Sequence, residues 1–141
     1  MKLTILTMAF ALMALLPQAF AMDDHGHDHS KAMDEKAATA VVFYSVNCAS
    51  CKILEPRMME AMQAINKDNL NVVKLDFSSK ETIEASKTLA AEKGVESTLQ
   101  SYGAKTGFVV LLDKEGNEID KLKVDDNTAD IAAKLARAIV S

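Results

Sequence analysis

The 141-residue sequence predicts an α/β fold, a three-layer α/β/α sandwich around a mixed sheet. Two observations predict it. Short apolar, β-prone runs alternate with segments whose apolar residues recur every three or four positions, and the last two runs are joined by a tight polar turn. Strands joined through helices favour a parallel centre, and a closing hairpin adds an antiparallel edge. With 49% hydrophobic residues, 26% charged residues, five Gly and two Pro, the composition is that of one globular domain, which excludes collagenous and wholly disordered chains.

The elements follow in order. Val41, Val42, Phe43 and Tyr44 form a buried strand by length and composition. Ile53, Leu54, Met58, Met62 and Ile65 then recur at helical spacing, predicting a helix that starts near Cys48, kinks at Pro56 and ends before Asn69. Residues 72–75 are a second strand. Ser78 with Glu81 fits a capping box opening a helix through about Lys93, which Gly94 can end. A further helical turn is expected over residues 96–102. Residues 108–112 are the most apolar strand, the turn 113–117 leads to an alternating strand over 119–124, and a last helix runs from about Thr128 to Val140.

The N-terminus carries an address. Lys2 precedes an apolar stretch over residues 3–16, which Pro17 and Gln18 interrupt before Ala19-Phe20-Ala21, the pattern of a secretory signal peptide cleaved near Ala21. The stretch is shorter than the roughly 20 residues of a membrane span, so no stable membrane insertion is expected after cleavage. Residues 1–21 are thus the expected signal, 22–36 an acidic, mobile tail, and 37–141 the domain. The tail holds all three histidines, His25, His27 and His29, among Asp23, Asp24 and Asp28. Such a tract reads first as a solvated tail; it can capture Cu²⁺, Zn²⁺ or Ni²⁺ weakly, but it lacks the orienting partners of a fixed metal site. The net charge of −4, with no Lys/Arg-rich run, leaves no footprint for nucleic acid.

Cys48 and Cys51 are the only cysteines, placed where a buried strand meets the first turn of a helix. Free N–H groups and the helix dipole stabilise a thiolate there, lowering its pKa below the free-thiol value of about 8.5. Cys48 is therefore the candidate nucleophile, and Cys51, one turn further in, the candidate resolving residue. Three other readings stay open. A zinc site lacks two of its four ligands, a structural disulfide closing so small a loop adds little stability, and Cu(I) binding could recruit Met58, Met59 or Met62.

The run from Val41 to Pro56, with its apolar strand, Cys48-Ala49-Ser50-Cys51-Lys52 and a proline five residues beyond Cys51, resembles the active-site strand and helix of the thioredoxin superfamily. The stretch from Thr106 to Gly116 resembles that family's later strand and hairpin, so the likeness covers residues 40–141. It implies a thioredoxin-like fold and a periplasmic or otherwise secreted thiol–disulfide oxidoreductase. Its partners would be protein thiols or disulfides and an electron-donor or electron-acceptor oxidoreductase. No organic cofactor is required. Lys52, Pro56, Thr106 and Gly107 are the supporting residues the resemblance implies.

The departures are specific. Gly107 stands where the family usually has a cis-proline, Asn47 where an aromatic residue often precedes the first cysteine, and Val42 where thioredoxins keep a buried acid. Cys51 then needs another base, for which Glu55 and Lys74 are candidates. The lost proline and the histidine tail motivate a copper-handling protein built on the same cysteines, the one reading in which Cu or Zn is a cofactor. A catalytically slow interaction domain is a third reading.

Overall fold

A computed structural model describes residues 37–141. The predicted signal peptide, the acidic tail and His25, His27 and His29 lie outside the described residues. The elements are β1 (Ala38–Tyr44), α1 (Ala49–Gln63), a 3₁₀ turn (Lys67–Asn69), β2 (Leu70–Asp76), α2 (Lys80–Glu92), α3 (Glu96–Tyr102), β3 (Phe108–Leu112), β4 (Glu118–Leu122) and α4 (Thr128–Val140).

Both faces of the sheet are covered, which makes the three layers. On one side Leu54, Met58 and Ala61 of α1 and Ile131, Leu135 and Ala138 of α4 pack against alternate strand residues such as Ala40, Val109 and Leu111. On the other, Ala90 and Val95 pack with Val41, Phe43, Val73 and Val110. Side chains alternate across a strand, so a run with apolar residues at every position is buried on both faces.

The strand order is β2-β1-β3-β4. β1 and β2 are parallel, β1 and β3 antiparallel, and β3 and β4 antiparallel. The expected parallel centre is therefore corrected: only the β1–β2 pair is parallel. A single helix returns the chain to start a parallel strand, but here two helices lie between β2 and β3. The turn between them uses Gly94 at φ 68°, and the second helix carries the chain back, so β3 starts where β1 ends. Phe43 thus faces Phe108 across the ladder.

Other boundaries also move. β1 and β2 begin earlier than predicted because Ala38, Thr39, Ala40 and Leu70 join the ladder. β4 ends at Leu122, since Lys123 donates its N–H to Asp126 and leads into a turn. The helix after Cys48 ends at Gln63, and a separate 3₁₀ turn capped by Asn66 fills the gap to β2. Pro56 lies inside α1, whose helical assignment is continuous through it.

The predicted capping box is shifted by one residue. Ser79 is the N-cap of α2, accepting the Thr82 N–H at 3.2 Å, while Thr82 Oγ1 accepts the Ser79 N–H at 2.9 Å. Ser78 is engaged elsewhere. Its N–H and hydroxyl both donate to Asp76 Oδ1, and its Oγ accepts the Val46 N–H at 2.9 Å. That last bond ties the loop before Cys48 to the end of β2.

Candidate active site

β1 delivers the chain to the cysteines. Beyond Tyr44 a short loop is fastened by the Cys48 N–H donating to Ser45 O at 3.0 Å and by the Val46–Ser78 bond. Cys48 is the N-cap of α1, with extended backbone, and its sulfur accepts the Cys51 N–H at 3.1 Å. A polar cap side chain satisfies one of the N–H groups a helix start leaves open, and a thiolate does so more strongly because it carries the charge the helix dipole favours. The first turn contains no acidic residue to oppose that charge.

The two sulfurs form a disulfide, with Cα atoms 5.3 Å apart. Their surroundings differ. Cys48 is half-buried at the domain surface, whereas Cys51 is only 4% exposed. Cys51 Sγ lies 3.6 Å from the Phe43 carbonyl oxygen. Incoming sulfur thus meets Cys48 first, and Cys51 lies behind it.

Gly107 reaches this pair from the start of β3. Its φ is 98°, a conformation that favours glycine. A Cβ added there would stand 3.0 Å from Ser50 Cβ and 3.3 Å from Cys48 Sγ, so the bare backbone is what lets this loop approach the cysteine. Its N–H donates to Phe43 O at 3.0 Å. Thr106 precedes it and is half-buried.

Behind Cys51 is an apolar cavity of about 220 Å³ between α1 and the sheet. Val42 lines it, so the position where thioredoxins keep an acid is hydrocarbon here. The charged groups among its described lining residues are Glu55 and Lys74, joined at 2.5 Å. The Lys74 ammonium also sits 3.7 Å above the Tyr44 ring centroid, where the π face attracts a cation. Sequence reasoning paired Glu55 and Lys74 only as separate candidates; the fold brings them together at the cavity of Cys51.

Lys52 is exposed on the first turn of α1. Met58 belongs to the core, Met59 is exposed, and both line the cavity with Met62. Among the described residues no cluster of three or more His, Cys, Asp or Glu is placed to hold a metal ion. Tyr102 is half-buried against the core, edge-on to Phe43 and hydrogen-bonded to Glu118. What sequence reading missed is the Phe43 carbonyl, because a backbone acceptor becomes visible only once the β1–β3 register is known. It also missed Arg57, which donates to the Val124 and Asp126 carbonyls at 2.8 and 3.0 Å and ties the active-site helix to the turn before α4.

No helix among the described residues is long and apolar enough to cross a membrane. No curated protein matches the chain. Its fold is similar to that of Trxlp from Edwardsiella tarda, at TM-score 0.52 and 17% identity, covering 72% of this chain and 84% of that one. It is also similar to a thiol:disulfide interchange protein of the thioredoxin family from Chlorobium tepidum, at TM-score 0.51 and 16% identity, covering 74% and 81%. A thiol-disulfide isomerase from Corynebacterium glutamicum aligns at TM-score 0.51 and 16% identity, covering 75% and 82%. The thioredoxin family profile matches residues 21–100, more than half of the sequence, from before β1 into α3. With its Cys48–Cys51 disulfide at the head of α1, the chain belongs to the thioredoxin family.

Proposed function

We propose that the protein is an exported thiol–disulfide oxidoreductase acting on protein substrates. The observation that carries this reading is the asymmetry of the pair: a half-buried cysteine capping a helix, and a buried cysteine one turn behind it. In the reducing direction the Cys48 thiolate attacks a substrate disulfide, one substrate thiolate leaves, and a mixed disulfide forms. Cys51 then loses its proton and attacks the Cys48 sulfur. The second substrate thiolate is released, two electrons have passed to the substrate, and the protein holds the Cys48–Cys51 disulfide. The reverse sequence oxidises a substrate dithiol. The sulfurs carry the electrons themselves, so the exchange needs no organic cofactor, but a partner oxidoreductase must reset the pair.

The proton of Cys51 needs an acceptor, because Val42 offers none. Glu55 is the carboxylate on the cavity wall, held by Lys74, and it is the acceptor this reading assigns to that proton. Export rests on the N-terminal pattern, with Ala21 as the cleavage point. The test has two parts. Cys51→Ser should accumulate a covalent mixed disulfide with substrate proteins in the exported fraction, and N-terminal sequencing of that fraction should begin at Met22. Failure to trap any partner, with Cys48→Ser as active as the native chain, would overturn the catalytic reading; an intact N-terminus in the cytosol would overturn the export reading.

A further inference from the structure

The β1–β3 pairing brings one N–H donor and one sulfur to a single oxygen, and the sulfur becomes a second donor when the disulfide is reduced. The Gly107 N–H donates to Phe43 O at 3.0 Å, and Cys51 Sγ lies 3.6 Å from the same atom. Phe43 is wholly buried and Cys51 nearly so, which makes each of these contacts count for more than it would in water. A carbonyl oxygen has two lone pairs, and two donors compete for its partial charge. An N–H on this oxygen therefore makes it a poorer acceptor for the thiol, and a thiol proton held less firmly is lost more readily.

We propose that Gly107 is a positioning residue for Cys51: its amide shares the Phe43 carbonyl with the thiol, loosens that carbonyl's hold on the thiol proton, and takes the carbonyl over when the proton leaves. The inference rests on the thiol–disulfide reading and adds a control on its second step. The proton passes to water or Glu55 in the cavity, the sulfur becomes the thiolate that attacks Cys48, and the Phe43 carbonyl keeps a partner throughout. A proline at position 107 has no N–H and could not do this. The other ionisable groups facing Cys51 are Cys48 beside it, Glu55 on α1, Tyr44 on β1 and Lys74 on β2; β3 contributes only Phe108 and Val109 to that cavity.

The test is a pH titration of the chemically reduced, isotope-labelled native protein, following the Gly107 amide and the Cys51 Cβ by NMR. The Gly107 amide proton should move downfield as its hydrogen bond tightens, with the same inflection as Cys51. Repeating it in Glu55→Gln removes the carboxylate's own titration. An amide that stays flat through the Cys51 inflection overturns the proposal. A second arm compares Gly107→Pro, which lacks the donor and cannot hold φ 98°, with Gly107→Ala, which keeps the donor but is strained at the same φ and adds the crowding Cβ. The proline variant should raise the Cys51 inflection by about half a unit to one unit, the worth of one hydrogen bond. The alanine variant should disturb Cys48 and leave Cys51 near its native value. Equal upward shifts in both would assign the effect to the altered loop backbone and crowding and overturn the proposal. Should either variant not fold, the native titration decides alone. If the native chain exchanges no disulfides the catalytic reading fails, whereas the titration judges Gly107 separately.

Discussion

Removing the outer sulfur tests the division of labour directly. Cys48→Ser is expected to lower disulfide reduction by more than about a hundredfold, since the remaining thiol, Cys51, is buried, and a turbidity assay with insulin measures it. Glu55→Gln belongs to a different step. It should slow release of the mixed disulfide by at least about tenfold while leaving Cys48 alkylation unchanged, which stopped-flow kinetics separate. If both steps slow together, Glu55 acts on Cys48 instead. At this scale the sequence was most readable where a side chain carries the chemistry: Cys48 and Cys51 are legible from spacing and placement alone. The shared oxygen of Phe43 was not, because its role is set by a backbone register, and neither was the meeting of Glu55 with Lys74, which lie on different elements.

Between elements, the turn before α4 is stitched by charge. Burial opposes ionisation of Asp126, but the Lys123 N–H and the Lys134 ammonium outweigh it and hold the carboxyl below its ordinary value of 3.8. A carboxyl whose folded pKa is depressed stabilises the fold fully above its unfolded pKa and loses that contribution as pH falls through the lower folded value. Asp126→Asn should therefore cost about 1–2 kcal/mol at pH 7. The gap to the native protein should close in strong acid, and urea denaturation at the two pH values reads both. Ser79→Ala is expected to cost about 1 kcal/mol through loss of the α2 cap, in the same assay. Helices were legible where apolar spacing is long, as in α4, whose predicted span matches the structure. The α2 cap was missed by one residue because two adjacent serines offer the same hydroxyl, and only the claim of Asp76 and Val46 on Ser78 decides between them.

Across the whole molecule, the alternation of strands and helices carried the layered architecture, while strand direction escaped it. A pattern of apolar runs states that β3 is buried but not which way it points; that depends on whether α3 completes a second traverse. The two cores meet through the single sheet, so damage on one face should be felt cooperatively. Leu135→Ala, at a fully buried position in α4, is expected to cost about 2–5 kcal/mol and to keep one unfolding transition by both fluorescence-probe and circular-dichroism readouts.

The direction of β1 also fixes how the domain is held. Its seven residues run from Ala38 to the active-site end at about 3.3 Å each, so the chain enters the sheet some 20 Å from the reactive pole. Ala38, the first residue of β1, thus lies at the opposite pole of the domain. A sensor chip or bead that grips the protein by that end presents Cys48 outward, to whatever flows past.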